Sequence, residues 1–316
     1  MLARRIALHA EPLPRGAAVA VLVNRAARST AGVRWEPVVA KILGRRVAPR
    51  FLHPDGEIEM AAAARASIAR GADAIVVAGG DGSINRVADA IAGLGVPLGL
   101  IPLGTANDLA RELGIPAGVA GAARRVIDGT VHAIDVLEVN GRVFCTVGGL
   151  GVAADAALAA NRVRRSLPLR ALGSGIYPLA AAASIALRPR LARSIRVTFS
   201  DPRRIERAFA ARVHALLVAN QRSLGGGLAL PVASANDDGV FELCAVPAAS
   251  RVALLATLTR MATGRAPATG AFAVERGDRA RIECDVPASF FGDGEELARG
   301  RVFDVRLRRQ ALLVIC

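Results

Sequence analysis

The sequence has few aromatic residues: they make up 3% of its 316 positions, with one Trp and one Tyr. Proteins that bind single-stranded nucleic acid stack the bases on aromatic side chains, so this scarcity argues against nucleic acid as a partner. Ala, Val, Leu and Ile must build the core, since 53% of the residues are hydrophobic. The chain is long enough for one large or two ordinary domains.

Cysteines and long apolar runs are also scarce. The four cysteines form no Cys-x-x-Cys pair, which argues against a zinc site and favours free thiols in a reducing compartment. The sequence contains no run of about 20 apolar residues that could span a membrane. Its first residues are too weakly apolar for a secretory signal. We therefore expect a cytoplasmic protein.

Lysine is almost missing, because Lys41 is the only one, yet the net charge is +14. Arginine therefore carries the positive charge. Such an excess favours an anionic partner, for example a phosphate-bearing substrate or an anionic membrane, although arginines spread along the chain also fit a compositional bias. The lack of lysine argues against a P-loop, whose lysine binds phosphate.

Short apolar runs alternate with helical patterns in the first part of the chain. The runs at 17–24, 73–78 and 97–102 are typical of buried parallel strands, with helical patterns between and after them. Beyond about residue 134, turn residues separate many short strand patterns, and Asn140-Gly141 is a strong hairpin signal. We predict an α/β domain with a parallel sheet at 1–133. A mainly antiparallel β-sandwich domain follows at 134–316, and its last strand could return toward the first domain.

The first candidate site is the glycine loop Gly79-Gly80-Asp81-Gly82-Ser83, which follows a buried strand and begins a helix. Ligands of open α/β sheets bind at this edge, where glycines expose backbone N–H groups and the helix N-terminus favours anions. Asp81 would repel a phosphate unless a cation intervened, so it indicates Mg²⁺ nearby. The alternative is a plain strand–turn–helix connection with Ser83 as the helix cap.

A second polar loop, Gly104-Thr105-Ala106-Asn107-Asp108, occupies the same position one βα unit later. Two loops at adjacent strand ends would converge on one crevice, where they offer a hydroxyl, an amide and a carboxylate. The alternative is that Thr105 or Asn107 merely caps the following helix. Together the two loops make a binding site the better interpretation.

The two segments GGDGSINRVADAI and IPLGTANDLARELG resemble the catalytic domain of the diacylglycerol kinase family, which includes soluble bacterial lipid kinases and sphingosine kinases. The GGDG part is shared with NAD kinases and phosphofructokinases, whereas the GTxND part is more specific. The resemblance continues in FCTVGGLG at 144–151, in Asn220 followed by Gly225-Gly226-Gly227, in Asp238-Gly239 and in Asp293-Gly294-Glu295.

This resemblance implies ATP-dependent phosphorylation of a lipid hydroxyl, with diacylglycerol or a related glycerolipid as the first choice and ATP and Mg²⁺ as cofactors. The active site would lie in a cleft between a nucleotide-binding first domain and an acceptor-binding second domain. The residues that would bind the nucleotide are Asn24, Gly79, Gly80, Asp81, Gly82, Ser83, Asn85, Gly104, Thr105 and Asn107.

The same resemblance implies roles for several carboxylates. Asp81 and Asp108 would shape the magnesium and phosphate environment, and either Asp293 or Glu295 would activate the lipid hydroxyl. A structural Mg²⁺ would be held by Asp238 with the backbone carbonyls of Ala235 and Val240. From the residues alone, a plain turn is the simpler interpretation of both Asp238-Gly239 and Asp293-Gly294.

Several positions depart from the family pattern. Arg86 replaces a Glu beside the phosphate site, the first loop after Asn24 contains arginines in place of a rigid turn, and Thr146 and Ala153 replace Asn and Asp. The last change argues against a sphingoid substrate. Two alternatives therefore stay open: a kinase of a non-lipid acceptor such as NAD, and a catalytically weak lipid-binding homologue.

A membrane contact is predicted at 161–193, where arginines flank the apolar stretch 171–187. Cations beside an apolar segment suit an anionic lipid surface, so we expect a peripheral protein at such a membrane. The alternative is a core helix packed between the domains. Whether the chain forms a homodimer stays open.

Overall fold

The computed structural model describes residues 11–24, 35–164, 176–187, 192–224, 228–263, 265, 267 and 270–316. The chain forms two compact units, one of Met1–Asp135 with Arg309–Cys316 and one of Val136–Arg308. The C-terminal residues therefore belong to the first unit.

A parallel sheet forms the centre of the first unit, in the order β2-β1-β3-β4. The end of β15 joins beside β4, also in parallel, with Val314 opposite Leu98. The strands are β1 Ala18–Val23, β2 Ala48–Leu52, β3 Ala74–Gly79 and β4 Leu98–Pro102. Every residue of β3 and β4 is buried, because both faces of the sheet are covered. This explains the continuous apolar runs in the sequence.

Helices follow the strands, as the alternating pattern predicts. They are α1 Trp35–Leu43, α2 Glu57–Ala69, α3 Asp81–Ile91, α4 Asp108–Glu112 and α5 Val119–Asp128. Neither β2 nor α5 was expected from the sequence. Because β2 is the edge strand of the sheet, it tolerates Pro49 and Arg50 and has no continuous apolar run.

The second unit is mainly antiparallel, in the order β13-β12-β9-β7-β14-β15; β8 pairs with β9 and β14, β5 with β6 and β15, and β10 with β11. Its strands are β6 Arg142–Phe144, β7 Val147–Gly151, β8 Arg193–Ser200, β9 Glu206–Ala219, β10 Ser223–Leu224, β11 Leu228–Ala229, β12 Phe241–Pro247, β13 Ala273–Gly277 and β14 Arg279–Gly292, together with most of β15 Glu295–Ile315 and the second part of β5 Val131–Val139. Its helices are α6 Val152–Arg164, α7 Ile176–Leu187 and α8 Arg251–Ala262. The predicted fold class, an α/β domain followed by a β-sandwich domain, is confirmed.

Local signals in this unit are confirmed as well. Asn140 and Gly141 both have positive φ, 47° and 86°, as a two-residue hairpin turn between β5 and β6 requires. Ser250 caps α8 by accepting a hydrogen bond from the backbone N–H of Ala253 at 3.2 Å. The scarce aromatics meet in the core, where the rings of Phe144 and Phe303 both pack against that of Phe290.

Within the described ranges, no helix combines the length and the apolar character that crossing a membrane requires. For most arginines of the predicted membrane segment, the structure does not describe the residue or its side chain; these are residues 162, 164, 165, 170, 188 and 190. The first loop at 25–28 also lies outside the described residues. The described part of the segment includes α7, on which Leu179 and Leu187 are exposed.

Candidate functional site

The glycine loop connects β3 to α3 with Gly80 as the N-cap residue, and no side chain caps the helix. Ser83 is therefore not the cap that the alternative interpretation assumed. Its side chain is buried, and its Oγ accepts a hydrogen bond from Nδ2 of Asn24 at 2.7 Å. The N-cap residue of α3 therefore has no side chain that accepts from the first N–H groups of the helix, and such groups bind phosphate at helix N-termini.

Close packing requires glycine at the start of this loop. A Cβ on Gly79 would lie 2.8 Å from the Cβ of Ser83. Asn24 lies at the end of β1 and is fixed by its own N–H, which donates to the carbonyl of Ala78 at 3.2 Å. The structure therefore brings Asn24, Gly79 and Ser83 together, as the sequence analysis expects of nucleotide-binding residues.

The second loop is closed by the side chain of Asn107. Its Oδ1 accepts from the N–H of Gly104 at 3.0 Å, and its Nδ2 donates to the carbonyl of Gly104 at 2.9 Å. Asn107 has φ 48°, a left-handed conformation that Asn tolerates better than most residues. Its side chain does not cap α4, so that alternative is wrong for Asn107.

The cap of α4 comes from the first loop. The Oδ2 atom of Asp81 accepts from the N–H of Asn107 at 2.9 Å, and Oδ1 accepts from the N–H of Asp108 at 2.7 Å. A carboxylate at a helix N-terminus is favoured by the unpaired N–H groups there. Asp81 therefore ties the two loops together, a role that the sequence analysis did not foresee.

The two loops also pack backbone against backbone. A Cβ on Gly104 would lie 2.6 Å from Cα of Gly80 and 2.7 Å from Oδ1 of Asn107. A Cβ on Gly80 would lie 3.1 Å from Cα of Gly104. Because no side chain fits at Gly104, this pair of glycines brings the loops into direct contact, and we call the assembly the loop cradle (79–85 and 104–108).

The remaining cradle residues differ in exposure. Asn85 is buried and Thr105 is exposed, and Arg86, which follows the cradle on α3, is half-buried.

Asp108 forms an ion pair with Arg111 at 3.2 Å. Asp81 and Asp108 lie side by side and offer the oxygen ligands that Mg²⁺ takes, one or two carboxylates alongside substrate phosphates. The donor set of the cradle therefore fits a magnesium nucleotide.

In the second unit, Asp293 and Gly294 form the turn between β14 and β15, with φ 51° and 83°. The turn predicted for this pair is thus present. The Asp293 carboxylate accepts three hydrogen bonds: from the N–H of Cys145 at 2.8 Å, the N–H of Thr146 at 2.8 Å and the hydroxyl of Thr146 at 2.5 Å. These three donors fix the orientation of the carboxylate.

Asn220 supports the same arrangement from β9. It is fully buried, its Nδ2 donates to the carbonyl of Cys145 at 3.0 Å, and its N–H donates to the carbonyl of Thr146 at 2.9 Å. From the sequence, Thr146 is only a departure from the family pattern, and Asn220 has no predicted role. In the sequence, Asn220 is a polar residue directly after the apolar pattern of β9, and this is the signal that could have indicated its role.

Glu295 follows this turn and is half-buried at the start of β15. Three donors of the protein already bind the Asp293 carboxylate. Which of the two carboxylates accepts the proton of the acceptor stays a prediction.

The segment of the predicted structural Mg²⁺ site also contains a turn. Oδ1 of Asp238 accepts from the N–H of Val240 at 3.1 Å, and Gly239 has φ 75°. Asp238 is exposed and Ala235 half-buried. The carboxylate and carbonyl oxygens are ligands of the type that Mg²⁺ prefers, and the assignment stays a prediction. In the described part of the chain, no group of three or more His, Cys, Asp or Glu side chains is arranged to hold a metal.

The cysteines are free thiols. Burial, with a smaller effect from Glu242, raises the pKa of Cys244 to about 12, and burial raises the pKa of Cys284 to about 11. Since the thiolate is the reactive form, neither thiol is a nucleophile at neutral pH.

Two protein-family models match this chain, one over its first part and one over its second. The family model described as the diacylglycerol kinase catalytic domain matches residues 18–139. The model described as the YegS C-terminal NAD kinase beta sandwich-like domain matches residues 146–316. The Gly225-Gly226-Gly227 stretch noted in the sequence lies outside the described residues.

Two curated relatives carry the name diacylglycerol kinase. The one from Mycobacterium tuberculosis (strain H37Rv) is 30% identical over 237 residues, 73% of this chain and 72% of the relative. The one from Bacillus subtilis is 33% identical over 205 residues, 64% of this chain and 62% of the relative. A crystal structure titled as a diacylglycerol kinase from Bacillus anthracis covers 94% of this chain and 96% of its own, with a TM-score of 0.70 at 18% identity, and supports the fold.

Proposed function

Since the chain belongs to the diacylglycerol kinase catalytic-domain family, we propose that it transfers the γ-phosphoryl group of ATP to the hydroxyl of diacylglycerol or a related glycerolipid. Members of this family are kinases that phosphorylate a lipid alcohol, and the chain is a lipid kinase in that sense. The proposal concerns the donor, the acceptor and the residues that act on them.

The loop cradle is the observation that carries the proposal. Asp81 holds the backbone of Asn107 and Asp108, and Gly104 packs directly on Gly80. This places the N-terminus of α3, whose N-cap residue Gly80 has no side chain, beside a second polar loop. When bound there, ATP supplies the transferable phosphoryl group, and Mg²⁺ neutralises the charge on its phosphates.

The residues of the cradle bind and orient the donor. The N–H groups of Gly82 and Ser83 at the N-terminus of α3 bind phosphate oxygens, while Asn24 fixes Ser83. Asp81 and Asp108 provide carboxylate ligands for the cation. Phosphoryl transfer needs mainly alignment and charge neutralisation, and a rigid cradle of backbone groups provides both.

The acceptor hydroxyl loses its proton as the new P–O bond forms. We assign this proton to Glu295 and a positioning role to Asp293, because the Asp293 carboxylate is already bonded to Cys145 and Thr146. General base catalysis of this kind contributes roughly 10²–10⁴-fold to the rate.

A lipid kinase must contact the surface in which its acceptor lies. Leu179 and Leu187 on α7 and Val252 on α8 are 57%, 81% and 77% exposed, and Arg251 donates to the carbonyl of Ala186 at 2.5 Å. Apolar side chains next to cations suit an anionic membrane surface, which supports peripheral docking through these two helices.

Docking can be tested by sedimentation with phosphatidylcholine vesicles, with and without phosphatidylglycerol. We expect more binding with the anionic lipid, and weaker binding after Leu187→Ser with Val252→Ser. The matched control is Val286→Ser, at an apolar residue that is 48% exposed on β14. Equal binding of all proteins to both kinds of vesicle contradicts docking.

The acceptor can be tested with ATP and a panel of substrates: diacylglycerol, monoacylglycerol, sphingosine and NAD. We expect phosphorylation of diacylglycerol, weaker phosphorylation of monoacylglycerol, and none of sphingosine or NAD. A preference for NAD would establish the non-lipid alternative. Lipid binding without turnover of any acceptor would establish the catalytically weak one.

A further inference from the structure

The outer face of the second unit carries a groove of about 910 Å³ on β8, β14 and β15, bounded by the β8–β9 turn and the β5–β6 turn. Its charged lining consists of four arginines, Arg204, Arg279, Arg281 and Arg306, and three carboxylates, Glu138, Glu206 and Asp304. We call it the arginine groove. None of its lining residues belongs to the loop cradle or to the Asp293–Glu295 segment.

Hydrogen bonds fix both walls of the groove. In the β8–β9 turn, Oδ1 of Asp201 accepts from the N–H of Arg203 at 2.9 Å and from that of Ile205 at 3.1 Å. In the β5–β6 turn, Oδ1 of Asn140 accepts from the N–H of Asp304 at 2.9 Å, and the N–H of Asn140 donates to the carbonyl of Asp304 at 3.1 Å. A groove with fixed walls loses little conformational freedom on binding.

Two of the four arginines have counter-charges within the protein. Arg281 forms ion pairs with Glu283 at 3.2 Å and Asp304 at 3.1 Å. Arg306 forms an ion pair with Glu138 at 2.6 Å. These two guanidinium groups are therefore largely neutralised by carboxylates of the same face.

The other two arginines are not neutralised in this way. Within the described ranges, the guanidinium groups of Arg204 and Arg279 have no ion-pair partner, and both side chains are exposed. Arg279 lies directly opposite Arg306 in the β14–β15 register. Like charges directly opposite each other on adjacent strands are unfavourable, and the Glu138 ion pair compensates only Arg306, so Arg279 gains from a bound anion.

We propose that the arginine groove is a second anion site, which binds phosphate groups through Arg279 and Arg204. A guanidinium group binds phosphate with two parallel N–H donors, and a groove of this volume accepts a ligand larger than a single phosphate. Arg279 begins β14, whereas Asp293 follows its last residue, Gly292. The groove thus acts apart from phosphoryl transfer.

The phosphate groups that the groove binds belong either to a soluble polyphosphate or to the headgroups of a phospholipid surface.

The test uses the full chain as wild type, as the groove variant Arg204→Gln with Arg279→Gln, and as the control variant Arg212→Gln with Arg301→Gln. The control changes the charge equally at exposed arginines of the same unit that do not line the groove. Calorimetry with pyrophosphate measures binding of the soluble anion. The loop cradle is unchanged in all three proteins and contributes equally to their pyrophosphate binding. A difference in binding between the groove variant and the control variant therefore reports on the groove.

We expect the wild type and the control to bind one more equivalent of pyrophosphate than the groove variant, or to bind it about tenfold more tightly. In a second arm, vesicles of phosphatidylcholine with and without phosphatidylglycerol are sedimented with each protein. A defect of the groove variant in the vesicle arm alone assigns the site to lipid headgroups, and a defect in the pyrophosphate arm alone assigns it to a soluble anion. A groove variant that matches the control in both arms overturns the proposal.

A milder change keeps the test decisive if the double variant folds poorly. Arg279→Lys preserves the charge but removes the paired N–H donors. We expect it to weaken binding in whichever arm responds, with an unchanged unfolding midpoint. Binding as tight as that of the wild type contradicts the role of Arg279.

Discussion

The hydroxyl of Thr146 donates a hydrogen bond to Oδ1 of Asp293 at 2.5 Å, although the two residues are far apart in the sequence. The backbone N–H groups of Cys145 and Thr146 bind the same carboxylate. The turn before β7 therefore holds the turn that precedes Glu295. We infer that Thr146 positions Asp293, and through it the start of β15, for the transfer step.

Replacing Thr146 with Val tests this role, because Val keeps the shape and removes the donor. We expect kcat to fall about tenfold while the KM for ATP stays unchanged, since the carboxylate then has one donor fewer to hold it in place. The unfolding free energy should fall by only about 1 kcal/mol.

Two further variants separate positioning from general damage. Thr146→Ser restores the hydroxyl and should restore kcat. Thr257→Val removes an exposed hydroxyl on α8, one that donates to the carbonyl of Ala253 at 2.9 Å, and should change neither kcat nor KM. A kcat of Thr146→Val equal to that of the wild type, or an equal loss in kcat and in ATP affinity, argues against positioning.

Asp81 is predicted to matter for both stability and nucleotide affinity. Asp81→Ala leaves the N–H groups of Asn107 and Asp108 without their acceptor, which costs about 1–3 kcal/mol of unfolding free energy. The KM for ATP should rise at least tenfold, because the second loop loses its anchor. Urea unfolding and initial-rate kinetics measure the two effects. Asp128→Asn, at an exposed position at the end of α5, is the control that should leave KM unchanged.

Gly104 is predicted to be essential for the cradle. In Gly104→Ala the new Cβ meets the backbone of Gly80, so the loops must separate. We expect ADP affinity, measured by calorimetry, to fall at least tenfold. Gly300→Ala adds the same methyl group where nothing lies within 4 Å, and its affinity should equal that of the wild type. A cradle variant that binds ADP normally would show that nucleotide does not use these loops.

The buried thiol of Cys244 predicts a loss of stability at high pH. Its pKa is raised to about 12 in the folded protein, because burial disfavours the thiolate and Glu242 adds to the effect. The unfolded chain ionises at lower pH, near 9, so this contribution is complete below about pH 9 and is lost as the pH rises toward 12. The expected loss is about 1.4 kcal/mol per pH unit.

Urea unfolding at pH 8.5 and 10.5 measures this effect when the wild type is compared with Cys244→Ala. Other titrating groups are common to both proteins and cancel in the difference. The wild type should lose about 2 kcal/mol more than the variant over this interval. Equal pH dependence of the two proteins contradicts the assignment.

The sequence predicted the parts of the site that depend on local pattern. The apolar runs predicted β1, β3 and β4, and the glycine loop followed from its place between a strand and a helix. The hairpin at Asn140-Gly141 follows from positive φ at both residues, which only a few residue types adopt readily. These features depend on neighbouring residues alone.

The parts that were missed depend on partners distant in the sequence. Nothing local to Asp81 indicates that it caps a helix in the next βα unit, and nothing local to Thr146 indicates a bond to Asp293. The edge strand β2 lacks an apolar run because only part of it is buried. Tertiary contacts decide such features, and the residue pattern does not contain them.

The most direct test of the account measures transfer of radiolabelled γ-phosphate from ATP to diacylglycerol in mixed micelles, for the wild type, Glu295→Gln and Gly104→Ala. We predict labelled phosphatidic acid from the wild type. From Glu295→Gln we predict a rate lower by roughly 10²-fold or more with ATP affinity unchanged, and from Gly104→Ala a rate lower by about fivefold or more at an ATP concentration equal to the KM of the wild type. Unlabelled diacylglycerol with the wild type, or equal labelling by all three proteins, would contradict it.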